Sequence, residues 1–195
     1  LGVVPLGAFL FLHVYDQWPA IYHRELWVDR ARHAISHPWA IALVLVPLGL
    51  HAALGSVRLV HARADAGDAL HGPAALRVIQ AVTGALVLGF VIYHVAQLWS
   101  VGDGPHESVR AGYALMWQAL GRPLDLAIYL VGISATCFHF AHGLSRAAVT
   151  FGLARSTRAL TFARLSAGLI GFVLWALLLQ LLGHFALGAP LVTFE

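Results

Sequence analysis

The sequence predicts an all-α integral membrane protein with five transmembrane helices, and three observations carry that prediction. Of the 195 residues, 59% are hydrophobic and only 11% charged, a balance outside the range of an ordinary soluble domain. Apolar runs approaching or exceeding the length of a membrane-crossing helix, about 20 residues, recur along the chain. The segments between them gather proline, glycine and charge, which interrupt helices. Residues 1–195 are therefore expected to form a single membrane domain.

The first span covers residues 1–18, is barely long enough, and is expected to begin upstream. It holds Pro5 and His13 and lacks a small-residue cleavage pattern, so it reads as a span and not as a signal peptide. Residues 19–37 mix charges with Tyr22 and Trp27 and are expected to form a connection at the membrane surface. Pro38 opens the second span, 38–61, as a first-turn proline should. Asp65, Gly67, Asp68 and Gly72 make 62–73 a polar turn. The third span, 74–99, is closed by Gly102, Gly104 and Pro105. Residues 106–121 combine charges with Tyr113, Met116 and Trp117, the pattern of a short amphipathic helix lying in the interface. The fourth span is 123–151 and the fifth, 157–187, is long enough to tilt or project.

All twelve basic side chains are arginine. Seven of them, Arg58, Arg63, Arg77, Arg146, Arg155, Arg158 and Arg164, flank the second-to-third and fourth-to-fifth connections; the other side has five, Arg24, Arg30, Arg32, Arg110 and Arg122. The positive-inside rule then places the N-terminus in the cytoplasm and the C-terminus outside. A net charge of +3 is too small and dispersed for a nucleic-acid partner. The lone Cys137 excludes an intrachain disulfide framework. No phosphate loop or nucleophile constellation is present.

Chemistry enters through the twelve histidines, because ionisable groups inside a bilayer are costly and signal function. The pattern H-x-x-x-G-x-x-R occurs twice, as His51, Gly55, Arg58 and as His139, Gly143, Arg146, and these spacings put all three residues on one helix face. A second pair of contexts matches Phe9, His13 and Trp18 with Phe90, His94 and Trp99. If Trp18 and Trp99 mark the outer boundary, His13 and His94 lie about 8 Å inside it and His51 and His139 about 20 to 24 Å. The histidines thus form an outer and an inner layer roughly 12 to 16 Å apart. One histidine in an apolar helix is more often a hydrogen-bonded packing residue; four at matched depths in repeated contexts favour metal ligation. A b-type haem takes two imidazoles from facing helices, so the first four spans are expected to bundle around two haems. His13 with His94 would hold the outer iron and His51 with His139 the inner.

Gly55 and Gly143 would let a macrocycle approach the backbone, while Gly49, Gly84, Gly89 and Gly132 do the same or permit close helix packing. Arg58 and Arg146 suit the inner haem propionates or simply snorkel to the surface. His61 would meet a propionate or water. His142, one turn from His139, is the alternative inner ligand. His23, His33, His37, His71 and His106 read as solvated loop residues.

The stretches 1–7 with His13, 51–55, 80–84 followed by Tyr93 and His94, and 138–143 resemble the membrane anchors of succinate:quinone oxidoreductases. The match is to the single-subunit, five-helix, dihaem branch of succinate dehydrogenases and fumarate reductases, over about three quarters of the chain. The resemblance implies two haem b groups ligated from the first four helices, paired first with third and second with fourth. It implies a multi-pass protein of the bacterial cytoplasmic membrane, with a FAD-carrying flavoprotein and an iron-sulfur subunit on the cytoplasmic face. A quinone, usually menaquinone, would react near the outer haem. The chain would serve as the electron-transferring, quinone-reactive subunit and perform no dicarboxylate chemistry itself. Glu25, near Tyr22 and His23, is the candidate for proton exchange with quinone, with a plain surface charge as its other reading. The glutamate that some relatives carry beside the fourth-helix ligand is missing among Cys137, Phe138, Phe140 and Ala141. Two rivals remain: a dihaem cytochrome b of a nitrate reductase or hydrogenase, and a haem-free transporter whose histidines relay protons or bind metal.

Overall fold

The computed structural model describes residues 2–35, 38–61, 74–99 and 105–188, and among these there are seven α-helices and no strand. They are α1 (Val3–Gln17), running into a 3-10 turn at Trp18–Ile21, α2 (Arg24–Ile35), α3 (Pro38–His61), α4 (Ala74–Trp99), α5 (Pro105–Leu120), α6 (Pro123–Thr150) and α7 (Thr157–Leu187). The expected turn at 62–73 and the side chains of Arg32, His33, His37, Arg58, His61, Arg63, His71, Trp99, His106 and Arg110 lie outside the described residues.

Three segments are long and apolar enough to cross a membrane: Ala75–Gln97, Pro123–Thr150 and Thr157–Leu187. Among the described residues α3 contributes a shorter apolar segment, Ala42–Val57, and α1 has 15 residues. The chain is thus an all-α membrane protein, with three of the five expected spans meeting both criteria. Leu165, Leu169 and Phe172 of α7 stand 68%, 64% and 61% exposed, one apolar stripe that only lipid or another apolar surface could cover.

Small residues decide how the helices meet. α6 packs along both α4 and α7. A Cβ added at Gly132 would stand 2.2 Å from the Phe90 ring, and one at Gly171 would stand 2.7 Å from Ala141 Cβ. Only glycine allows these approaches. α1 docks the same way: added Cβ atoms would strike His51 of α3 at Gly2 and Phe140 of α6 at Gly7. Helix ends follow ordinary capping chemistry. Ser156 accepts from Ala159 N–H at 3.2 Å to open α7, and Gly188, at φ 75°, closes it with its N–H on the His184 carbonyl.

Residues 19–37 were expected to be a surface connection, but they contain the 3-10 turn and α2. Trp27 and Val28 are buried, at 7% and 2% exposure, which gives this polar helix one packing face. Trp27 meets Tyr113 of α5 at 5.3 Å between ring centres, and Tyr113 meets Phe185 of α7 at 5.1 Å. Trp27 Nε1 donates to Gln17 Oε1 at 2.8 Å, and Arg30 lies 4.3 Å over the Tyr15 ring. α2 and α5 therefore cap the end of the bundle where α1 and α7 finish and α6 begins.

Candidate haem-ligand layers and their surroundings

Two histidine pairs meet inside the bundle. His13 of α1 and His94 of α4 have ring centres 6.1 Å apart at an interplanar angle of 85°; His51 of α3 and His139 of α6 have centres 6.1 Å apart at 87°. The first pair lies toward the cap and is called the capped layer; the second is the open layer. Along α4, His94 is 10 residues from Gly84, which touches His139, and along α6 Tyr129, which touches His94, is 10 residues from His139. Either count separates the layers by about 15 Å.

The spacing suits a shared metal. Two imidazoles bound on opposite sides of one ion at about 2 Å, each ring centre about 1 Å beyond its nitrogen, stand about 6 Å apart. Each histidine of the capped pair also has a phenylalanine one turn earlier on its own helix: Phe9 at 5.4 Å from His13 and Phe90 at 5.9 Å from His94. These apolar rings narrow water access to the imidazoles. No cluster of three or more His, Cys, Asp or Glu side chains able to hold an ion exists among the described residues.

Tautomers can be read from the acceptors. His139 Nδ1 lies 3.2 Å from the Gln80 carbonyl oxygen. A carbonyl only accepts, so Nδ1 carries the hydrogen and Nε2 the lone pair, which faces the Gln80 amide nitrogen at 3.4 Å. Gln80 also separates the two candidate α6 ligands. Its Oε1 accepts from His142 Nδ1 at 2.8 Å, and its Nε2 donates to the His139 carbonyl at 3.3 Å. His142 is stacked on Phe138 at 6.1 Å and lines a cavity of about 410 Å³ between α6 and α7, together with Arg146 and Arg164. The ring that meets His51 is His139.

The glycines divide by task. Cβ atoms at Gly49, Gly55 and Gly89 would meet nothing within 4 Å, whereas at Gly84 one would come 3.0 Å from His139 Cε1. A Cβ at Gly143 would stand 3.9 Å from the Gln80 amide nitrogen. Glu25 is exposed in the first turn of α2. Beside it, Arg24 lies 5.0 Å over the Tyr113 ring, whose hydroxyl is 3.1 Å from His184 Nε2. Burial lifts the Tyr113 phenol above its ordinary range, partly offset by Arg24. His184 itself is buried, and its Nδ1 has no hydrogen-bond partner among the described residues.

Several of these residues escape the sequence reading. Asp125 and His184 carry no site role there, and Gln80 enters only within the resembling stretch 80–84. The usable signal was polar residues four apart in apolar helices, Tyr93 with Gln97 and Asp125 with Tyr129, since that spacing gathers them on one face.

Fold and site together define a class: a helical membrane protein whose histidines meet in pairs across facing helices. No family model and no solved structure matches the chain. It is 33% identical over 172 residues to the succinate dehydrogenase cytochrome b558 subunit of Bacillus subtilis, an alignment covering 85% of this chain and 84% of that protein. The chain belongs to the family of succinate dehydrogenase cytochrome b subunits, membrane anchors that function with the other subunits of that complex.

Proposed function

We propose that the chain carries electrons between the iron-sulfur subunit of a succinate:quinone oxidoreductase and a membrane quinone, through two haem b groups. α1, α3, α4, α6 and α7 would be the five spans, with the N-terminus cytoplasmic and the capped layer outermost. The observation that carries this reading is the equal 6.1 Å approach of the two histidine pairs. Haem b, when bound, supplies one-electron transfer. His13 and His94 would hold the outer haem, and His51 and His139 the inner one. His142 is disfavoured as ligand because Gln80 holds its Nδ1 and its ring lines the α6–α7 cavity.

The remaining residues prepare these places. Gly55, beside open space, and Gly143 would admit a flat ring edge, and Arg58 and Arg146 would neutralise propionates at the cytoplasmic side, with His61 nearby. On the outer side Glu25, exposed on the cap, would exchange protons with solvent during quinone chemistry. The flavoprotein and iron-sulfur subunits would dock on the cytoplasmic face, and dicarboxylate chemistry would belong to them. Menaquinone is the expected quinone.

The test is haem b content by pyridine haemochromogen in the purified complex. Two haems per chain, with copurifying flavin and iron-sulfur subunits, is the expected result. One haem or none in fully loaded complex would reject the dihaem reading.

A further inference from the structure

The capped layer is wired to the surface by a line of hydrogen bonds whose directions are set from the carboxylate end. Asp125, 8% exposed at the start of α6, accepts from Arg122 Nε at 2.7 Å through one carboxylate oxygen and from the Tyr93 hydroxyl through the other. A carboxylate in an ion pair only accepts, so the Tyr93 proton points at Asp125. The Tyr93 oxygen must then accept from its other neighbour, the Gln97 amide nitrogen, at 2.7 Å. That orients the amide and leaves Gln97 Oε1 to accept from the Tyr129 hydroxyl at 2.9 Å. Tyr129 has one proton; its other contact, Met116 Sδ at 3.4 Å, is also an acceptor. The Tyr129 oxygen therefore accepts from His94, whose Nδ1 is 2.8 Å away. Nδ1 carries the hydrogen and Nε2 the lone pair.

We infer that Asp125, Tyr93, Gln97 and Tyr129 are positioning residues for His94: they fix its tautomer and ring orientation and pass the influence of a buried carboxylate to it. The inference rests on the reading of His94 as a haem ligand. Hydrogen bonds aligned head to tail in a low-dielectric interior polarise one another, and a ligand imidazole that donates toward an anion becomes a stronger base. A stronger base favours the oxidised metal. In the open layer His139 donates instead to a neutral backbone carbonyl. The relay should therefore lower the potential of the outer haem alone.

The experiment is a redox titration of both haems, with low-temperature EPR, in whole complexes carrying Tyr129→Phe, Asp125→Asn or Asp125→Glu. The outer haem is identified as the one lost in His94→Ala. In Tyr129→Phe both haems should remain, and the reduced-to-oxidised ratio of the outer haem at a fixed potential should rise on the order of tenfold, about 59 mV for a one-electron couple. Asp125→Asn should move it the same way by less, Asp125→Glu should restore it, and the inner haem should not move. An unchanged outer haem in both Tyr129→Phe and Asp125→Asn, or equal shifts in both haems, overturns the relay. So does loss of haem from both variants, which would mark the chain as structural. Retention of both haems in His94→Ala is a different result, which rejects the ligand assignment on which the relay depends.

Discussion

The capped and open layers present the same ring geometry in different surroundings. Each has two imidazoles 6.1 Å apart and nearly perpendicular. Around His94 the neighbours are Tyr129, Gln97 and Tyr93, ending at an ion pair whose arginine is 65% exposed. Around His139 they are the Gln80 backbone, Thr83 and, through the Gln80 side chain, a second histidine. With haem held at both pairs, as proposed, their hydrogen-bond partners would set separate potentials, because outer contacts tune a metal ligand without replacing it.

The largest expected effect breaks one layer and spares the other. His142→Ala should retain both haems while His139→Ala loses the inner one, read from the haemochromogen spectrum. The reverse outcome would move the open layer to His142. Next comes packing. Gly132→Ala pushes a methyl into the Phe90 ring that stacks on His94, while Gly84→Ala touches His139 at 3.0 Å. Overpacking costs about 1 to 3 kcal/mol, so thermal release of haem should come earlier in Gly132→Ala than in Gly84→Ala. Equal melting would mean that Phe90 swings aside freely. Gln80→Leu removes the acceptor of His142 Nδ1, a half-buried donor whose loss of partner should cost about 1 kcal/mol. The inner haem EPR signal should shift while the outer one stays fixed. The smallest effect is Arg122→Ala: the arginine is 65% exposed while Asp125 is buried, and Asp125 keeps its Tyr93 hydrogen bond, so thermal stability should fall by about 1 kcal/mol.

Much of this comparison is visible in the residues themselves. Pro38 and Pro123 mark helix starts because proline suits a first turn, and the structure opens α3 and α6 there. The repeated Phe9–His13 and Phe90–His94 contexts and the repeated H-x-x-x-G-x-x-R singled out the four histidines that the structure brings together in pairs. α2 was not legible. Its charges outweigh a narrow apolar face, and Trp27 becomes a packing residue against Tyr113 of α5, which is distant in sequence. The Asp125–Tyr93–Gln97–Tyr129 line was hidden for the same reason, since it joins α4 to α6 and no local spacing shows which polar face meets which. Gln80 between His139 and His142 is a third case: sequence leaves both histidines on similar faces, and only the helix crossing separates them.

The pairing across helices is tested most directly by replacing His13, His94, His51 and His139 singly with alanine and recording which haem each complex loses in a redox titration. His13→Ala and His94→Ala should lose one and the same haem, and His51→Ala and His139→Ala the other. Loss of the same haem from His13→Ala and His51→Ala, or retention of both haems in any of the four, would contradict the two-layer arrangement.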